Sequence, residues 1–225
     1  MRKDELTNSE AFALQFDAQS KLLRTNMPAQ VVAVNLARNS VDVQPVLKGV
    51  RSNDEEYLLP VINDVQIQYY GAGNFWVTFE PKAGDYCVLS VSDRSIEAWK
   101  KSGGIIDPKL NRHHNMTDAF AYFGINPFPD AIPAIQADTM HLRTKDGTTG
   151  IKIKADSIKY DVAGVEVADM SAALITFNVP VTMAATLNVD AETTTNGITD
   201  AGTNIGSTHA HSGVTSGDSN TGTPV

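Results

Sequence analysis

The sequence predicts a mainly β protein, in which a small N-terminal barrel is followed by an intertwined needle built from three copies of the chain. Two observations predict this fold class. Short strand-like runs separated by turn residues fill most of the first 130 residues, and a long alternation of apolar and polar residues follows Ile175. Successive side chains of a strand point to opposite faces, so such an alternation describes an extended structure with one buried face.

Residues 1–27 are predicted to form a helical segment. Thr7 and Glu10 have the spacing of a capping box, in which each side chain bonds the backbone N–H of the other residue. Phe12 and Phe16 lie four residues apart, the spacing of one helix face. We therefore expect a partly amphipathic helix that packs on its own domain or on a partner.

Residues 28–130 are predicted to form a compact β domain. Its strand-like runs are separated by turn residues at Asn39-Ser40, Asn63-Asp64 and Gly71-Ala72-Gly73. Short strands at this spacing favour a small barrel. Cys87 lies in one of the apolar runs and is expected to be buried. It is the only cysteine, which excludes an intrachain disulfide.

Residues 131–200 are predicted to form the needle. From Ile175 to Ala191 the odd-numbered residues are mostly apolar, and no central turn interrupts the run. This length exceeds that of an ordinary strand of about five or six residues. We expect three chains to wind into a triangular prism, with the odd residues from Val165 onward facing the axis. Intertwining gives each strand edge a neighbour.

His209 and His211 lie in residues 201–225, which are expected to form a small apex. Alternate residues of a strand share a face, so three chains would bring six imidazoles to one ion. That octahedral set exceeds the four ligands of a structural zinc site and suits iron. A lone His-x-His motif is more often a solvated pair, but the preceding needle favours a metal site. We expect one iron ion per trimer, and the sequence leaves open whether further ions lie on the axis of the prism.

The charge distribution excludes nucleic acid as a partner of the needle. No Lys or Arg follows Lys159, whereas seven Asp and Glu residues do, and they supply most of the net charge of −8. Phosphate contacts require basic side chains. The chain opens without the basic and apolar segments of a signal peptide, so we expect it to be made and folded in the cytoplasm.

No arrangement of residues predicts an enzyme. His113 and His114 are adjacent, so their side chains should diverge, and with Arg112 and Asp118 nearby they are expected to stabilise the end of the barrel. His141 is isolated. The sequence has no nucleophile elbow and no phosphate-binding loop, and it offers no cleft for paired catalytic carboxylates.

Four motifs carry a resemblance to a known family. They are Leu59-Pro-Val-Ile-Asn-Asp64, Asp93-Arg-Ser-Ile-Glu-Ala-Trp99, Arg112-His-His-Asn-Met-Thr-Asp-Ala-Phe120 and Thr208-His-Ala-His-Ser212. With these motifs in this order, the chain resembles the baseplate central spike proteins of contractile-tailed bacteriophages, which puncture membranes. The resemblance implies an OB-fold barrel, a triple-stranded β-helix, and an apex that holds iron through His209 and His211.

The resemblance also implies the function and the partners. The expected protein is a homotrimer at the tip of the tail baseplate of the virion. It attaches to the tail hub through its N-terminal domain and pierces the bacterial outer membrane on tail contraction, with only transient contact. Some relatives carry a lysozyme-type domain, for which this chain has no room, so we expect puncture without cleavage of peptidoglycan.

The alternative is a trimeric tailspike or adhesin with glycan-binding or glycan-cleaving activity. Such proteins also use intertwined β-prisms, but they need aromatic platforms and a pair of carboxylates in a groove. After Tyr160 the only aromatic residue is Phe177, at a position expected to face inward. This argues against carbohydrate recognition on the needle.

Overall fold

The computed structural model describes residues 7–20, 23–190, 199–200 and 203–204. The chain separates into two compact units, Met1–Gln136 and Ala137–Val225. The described residues contain sixteen strands and two α-helices, which confirms the predicted mainly β fold class. No helix in this part of the chain is long and apolar enough to cross a membrane.

The elements follow one another in chain order. The helices are α1 (Asn8–Ser20) and α2 (Glu97–Ser102). The strands of the first unit are β1 (Asn26–Asn35), β2 (Ser40–Pro45), β3 (Gly49–Val50), β4 (Glu56–Tyr57), β5 (Ile62–Ile67), β6 (Tyr70–Ala72), β7 (Phe75–Val77), β8 (Tyr86–Val91) and β9 (Ala119–Phe123). Those of the second unit are β10 (Met140–Arg143), β11 (Gly150–Ile153), β12 (Ser157–Val162), β13 (Val165–Ser171), β14 (Ile175–Phe177), β15 (Thr199–Asp200) and β16 (Thr203–Asn204).

Helix α1 begins with the predicted capping box. The Thr7 backbone N–H donates to Glu10 Oε2 at 2.8 Å, and the Glu10 N–H donates to Thr7 Oγ1 at 3.3 Å. The hydrogen bonds that the Thr7 N–H and the Thr7 hydroxyl donate to the Glu10 carboxylate lower its pKa. The helix is not amphipathic, because the consecutive apolar residues Ala11–Leu14 point in different directions around it. Phe12 and Phe16 are 70% and 66% exposed, so the expected packing on its own domain is wrong.

The predicted barrel is confirmed as a closed barrel of five strands in the order β1, β2, β5, β9, β8. Neighbouring strands are antiparallel except for β5 and β9, which are parallel. A register shift between Val31 and Ala33 marks a bulge in β1. Bulges increase the local twist and bend a strand, which helps a small sheet to close on itself.

The barrel interior is filled by small and branched apolar side chains. Cys87 is one of them, as predicted, and burial raises the pKa of its thiol to about 11. The thiol is therefore almost entirely protonated at neutral pH and unreactive. The buried core consists of Ala29, Val31, Val41, Val43, Ile62, Val65, Ile67, Cys87, Leu89, Ala119 and Ala121.

The second unit contains an antiparallel meander, in which β10 to β14 each pair with the next strand along the chain. This differs from the continuous extended run that the sequence predicted. A turn separates β13 from β14, where the Ser171 N–H donates to the Leu174 carbonyl at 2.9 Å. Residues 178–190 contain no further strand, since a strand requires a hydrogen-bonded neighbour. Pairing between chains stays a prediction.

Candidate functional site: the apolar face of the second unit

The meander has one apolar face, formed by two rows of residues that cross all five strands. Residues directly opposite each other in an antiparallel pair lie on the same face. The first row is Leu142, Ile151, Tyr160, Ala168 and Phe177, each paired with the next. The second row is Met140, Ile153, Ile158, Met170 and Ile175. We call these ten residues the apolar face.

The opposite face of the same sheet is charged. Lys152 Nζ lies 2.6 Å from Asp161 Oδ2, and Lys159 Nζ lies 3.0 Å from both Glu166 and Asp169. Hydrogen bonds with Asp169 and Glu166 raise the pKa of Lys159. His141 also lies in this layer, opposite Lys152. Burial, and then the positive charges of Arg143 and Lys152, lower the pKa of its imidazole.

No described residue of the chain covers the apolar face as a second layer. Met140, Leu142 and Phe177 are 71%, 62% and 60% exposed. A shallow cavity of about 560 Å³ lies along the face and is lined by residues that include Tyr160, Phe177 and Val179. Soluble proteins bury the apolar face of a sheet against another layer. Among the described residues, this sheet therefore has one apolar face without such a second layer.

The uncovered apolar surface continues beyond the sheet. Val179, Val181, Met183, Leu187 and Val189 are between 39% and 60% exposed. These are the odd-numbered residues that the sequence assigned to the inside of the needle. Their exposure in one chain leaves them available to other chains.

The prediction that odd-numbered residues face inward is wrong within β13. Odd-numbered Asp169 lies on the charged face, whereas even-numbered Ala168 and Met170 pair with Phe177 and Ile175 on the apolar face. The turn between β13 and β14 reverses the chain, so that even-numbered residues of β13 and odd-numbered residues of β14 form the apolar face. A period-two pattern gives the correct face only as long as the strand continues.

The three N-terminal motifs meet at one end of the barrel around a buried carboxylate. Asp118 is 1% exposed and accepts from Arg112 Nε at 2.6 Å, Arg112 Nη2 at 3.0 Å and the Ile96 N–H at 3.0 Å. Ser95 Oγ donates to it at 3.2 Å. Burial alone would raise the pKa of Asp118, but these hydrogen bonds outweigh it and lower the pKa. Lys100 Nζ donates to the Asp64 carbonyl at 3.0 Å, and this hydrogen bond connects the first motif, which ends at Asp64, to the segment that follows the second motif.

His113 and His114 do not diverge as predicted. His113 Nδ1 and His114 Nε2 lie 3.6 Å and 3.5 Å from the same atom, Asp93 Oδ1. His114 has a φ of 48°, and this left-handed turn of the backbone brings both rings to one side. Across the ranges that the structure describes, no three His, Cys, Asp or Glu side chains are arranged to hold a metal ion.

The predicted metal ligands His209 and His211 lie outside the described residues, so that site stays a prediction. The residues that the sequence reasoning missed are those of the apolar face before Ile175. Their signal is a repeated apolar-x-apolar pattern in Met140–Leu142, Ile151–Ile153 and Ile158–Tyr160. Each strand contributes only two such residues, so the two rows can be recognised only when the register of the strand pairs is known.

Comparison with known protein families gives one match. Residues 27–124, less than half of the chain, match the family described as phage protein Gp138 N-terminal domain. This range contains the five barrel strands apart from the first residue of β1. The match supports a structural role in a phage and an association with the virion. No curated protein matches the chain.

Proposed function

We propose that the protein is the trimeric central spike of a phage tail baseplate, a structural device without enzymatic activity that pierces the host outer membrane when the tail contracts. The observation that carries the proposal is the uncovered apolar face, which continues into exposed odd-numbered residues up to Val189. A large buried apolar side chain contributes about 1.5–3 kcal/mol, so covering this surface stabilises an assembly strongly. The phage family match of the barrel supports the virion setting.

The width of the sheet fits three copies. Five strands spaced at about 4.8 Å make a sheet about 24 Å wide, and a triangular prism with sides of that width places each sheet about 7 Å from the axis. Face-to-face sheets pack about 10 Å apart, so each layer of side chains fills about 5 Å. Three apolar faces would therefore nearly fill the prism.

Two copies could also cover the apolar face, as in a β-sandwich. The run after Phe177 favours three copies instead. One extended segment from each of two chains makes a two-stranded ribbon with two open edges, whereas three segments can close around an axis. Closure removes the unpaired edges that promote aggregation.

The remaining parts have distinct roles in this proposal. The barrel attaches the spike to the tail hub. Its strand order agrees with the OB-fold assignment, because β5 and β9, the third and fifth barrel strands along the chain, are parallel neighbours. His209 and His211 of three chains hold one iron ion, and metal bonds at the tip would restrain three chain ends. Interchain strand pairing distributes the load of impact over many hydrogen bonds.

The first test is the mass of the full-length protein in solution, measured by light scattering. We expect three times the chain mass of 24.2 kDa. Phe177→Asp should prevent assembly, because it places a carboxylate on the apolar face, where desolvation is costly. Thr176→Asp is the matched control, since Thr176 pairs with Asp169 on the charged face of the same strand. A Phe177→Asp protein that assembles like the parent would show that the apolar face is not the interface.

The second test concerns the location and the alternative function. Gold-labelled antibodies against the chain should mark the distal end of the baseplate in electron micrographs of virions. A polysaccharide depolymerisation assay tests the tailspike alternative. Clear turnover of a bacterial surface polysaccharide would overturn the assignment as a non-enzymatic spike.

A further inference from the structure

A groove lies beside the β6–β7 hairpin, which pairs with no strand of the barrel. Its volume is about 530 Å³, within the range of small-molecule sites. Trp76, Tyr69 and Phe79 supply its aromatic lining, and Asn39, Thr78 and Glu80 supply polar groups. Residues 69–79 include five aromatic residues and no charged one.

The aromatic lining is anchored in the barrel. The Phe79 ring packs edge-on against Tyr69 at 5.3 Å and against Phe123 of β9 at 5.6 Å, measured between ring centroids. Gly71 lies opposite Trp76 in the hairpin register. A Cβ at Gly71 would lie 2.7 Å from the indole, so glycine is what allows this ring to lie against the backbone. Trp76 is 60% exposed.

The polar groups of the groove are available to a ligand. Asn39 is left-handed, with a φ of 52°; its N–H donates to the Leu36 carbonyl and its own carbonyl accepts from Ile67. The backbone of Asn39 thus maintains the turn, while its side-chain amide has no hydrogen-bond partner within the described ranges. Glu80 Oε1 lies 2.6 Å from Lys82 Nζ, so its charge is balanced.

We propose that this groove binds a neutral oligosaccharide that contains N-acetylhexosamine. The C–H face of a pyranose ring is apolar and suits stacking on the indole of Trp76. The acetamido N–H can donate to Glu80, and the Asn39 amide and Thr78 hydroxyl can bind sugar hydroxyls. The aromatic platform that the needle lacks is therefore on the barrel. This proposal is independent of the trimer and of the puncturing role.

Charge favours a neutral ligand over an anionic one. The chain has a net charge of −8, and the described residues that line the groove include no Lys or Arg. The cations closest to it in sequence are Lys82 and Arg38, which pair with Glu80 and Asp64. An anionic polysaccharide would meet a negative protein without a free basic partner.

The test is titration of the full-length protein with chitotriose, followed by saturation-transfer NMR and calorimetry. We expect saturable binding with a Kd of about 1 mM or tighter. Trp76→Ala should weaken binding about tenfold or more, because the stacking surface is lost. Phe75→Ser is the matched control: Phe75 is the neighbouring aromatic residue, 83% exposed, and it does not line the groove. It should bind like the parent.

Each of the following results would overturn the proposal. The first is no saturable binding of chitotriose at about 10 mM, roughly tenfold above the expected Kd. The second is equal loss of binding in Trp76→Ala and Phe75→Ser, or equal binding of maltotriose, which lacks the acetamido group. The third is a buried-type emission spectrum from Trp76 in a Trp99→Phe protein without sugar, which would mean that another copy of the chain covers the groove.

Discussion

Replacement of Asp118 by alanine should destabilise the barrel more than any change at its surface. The Asp118 carboxylate is 1% exposed and accepts hydrogen bonds from Arg112, Ile96 and Ser95. Alanine removes all of these acceptors at once. It leaves the Ile96 N–H and the Arg112 guanidinium without the partner around which they are arranged.

The magnitude follows from the burial of the two partners. Removal of one member of a buried ion pair typically costs about 3–5 kcal/mol. Arg112 is 33% exposed, so water can solvate it in the variant, and we expect the lower end, about 3 kcal/mol. For a domain of about 100 residues this corresponds to a fall in Tm of about 12–24 °C.

The assay is thermal and urea unfolding of parent and variant, each carrying Trp76→Phe so that the fluorescence followed is that of Trp99. This residue packs edge-on against Phe120, with ring centroids 6.1 Å apart, and so reports on the same end of the barrel. Asp93→Asn is the matched control. The Asp93 side chain is 72% exposed, and its loss should change the stability by less than about 0.5 kcal/mol.

The pH dependence supplies an independent check. The folded-state pKa of Asp118 lies below its unfolded value of about 3.9. The contribution of the Asp118 carboxylate to the free energy of unfolding is therefore complete above the unfolded-state pKa, and it is lost as the pH falls through the folded-state pKa. The stability difference between parent and Asp118→Ala should be constant near neutrality and shrink in acid below about pH 4. An equal effect of Asp118→Ala and Asp93→Asn at neutral pH would refute the reasoning.

Three further predictions concern other parts of the chain. His209→Ala combined with His211→Ala should reduce the metal content from about one ion per three chains to none while the trimer persists, as measured by emission spectrometry; the parent should lose the metal near or below about pH 6.5, where histidine protonates. Cys87 should react with a thiol reagent only on unfolding, because its pKa is about 11 and it is buried; rapid reaction of the native protein would contradict its place in the core. A fragment beginning near Ala131 should trimerise by itself, and a monomer at about 10 μM would count against the apolar face as the main interface.

Features that depend on neighbouring residues could be predicted from the sequence. The capping box of Thr7 and Glu10 is one, since its four residues contain all the partners. The turns at Asn39 and Gly73 are another, because both residues have left-handed backbones in the structure. Burial of Cys87 followed from the apolar run around it.

Features that depend on register could not be predicted in the same way. The convergence of His113 and His114 on Asp93 requires the left-handed backbone at His114, which a non-glycine residue rarely adopts. The position of Asp169 on the charged face depends on its pairing with Lys159 of β12. The two apolar rows depend on four strand pairings at once, and no single strand reveals them.

The order of pairing in the meander has a consequence for how the protein is made. Each strand from β10 to β14 pairs only with its neighbours in the chain, so the sheet has a low contact order. Structures of this kind fold quickly. In the proposed trimer, one chain can therefore complete its sheet before it meets another, and assembly is a collision between folded surfaces whose rate depends on the protein concentration. During that interval the apolar face is exposed, so the yield of correct assemblies depends on how fast copies meet relative to how fast they aggregate.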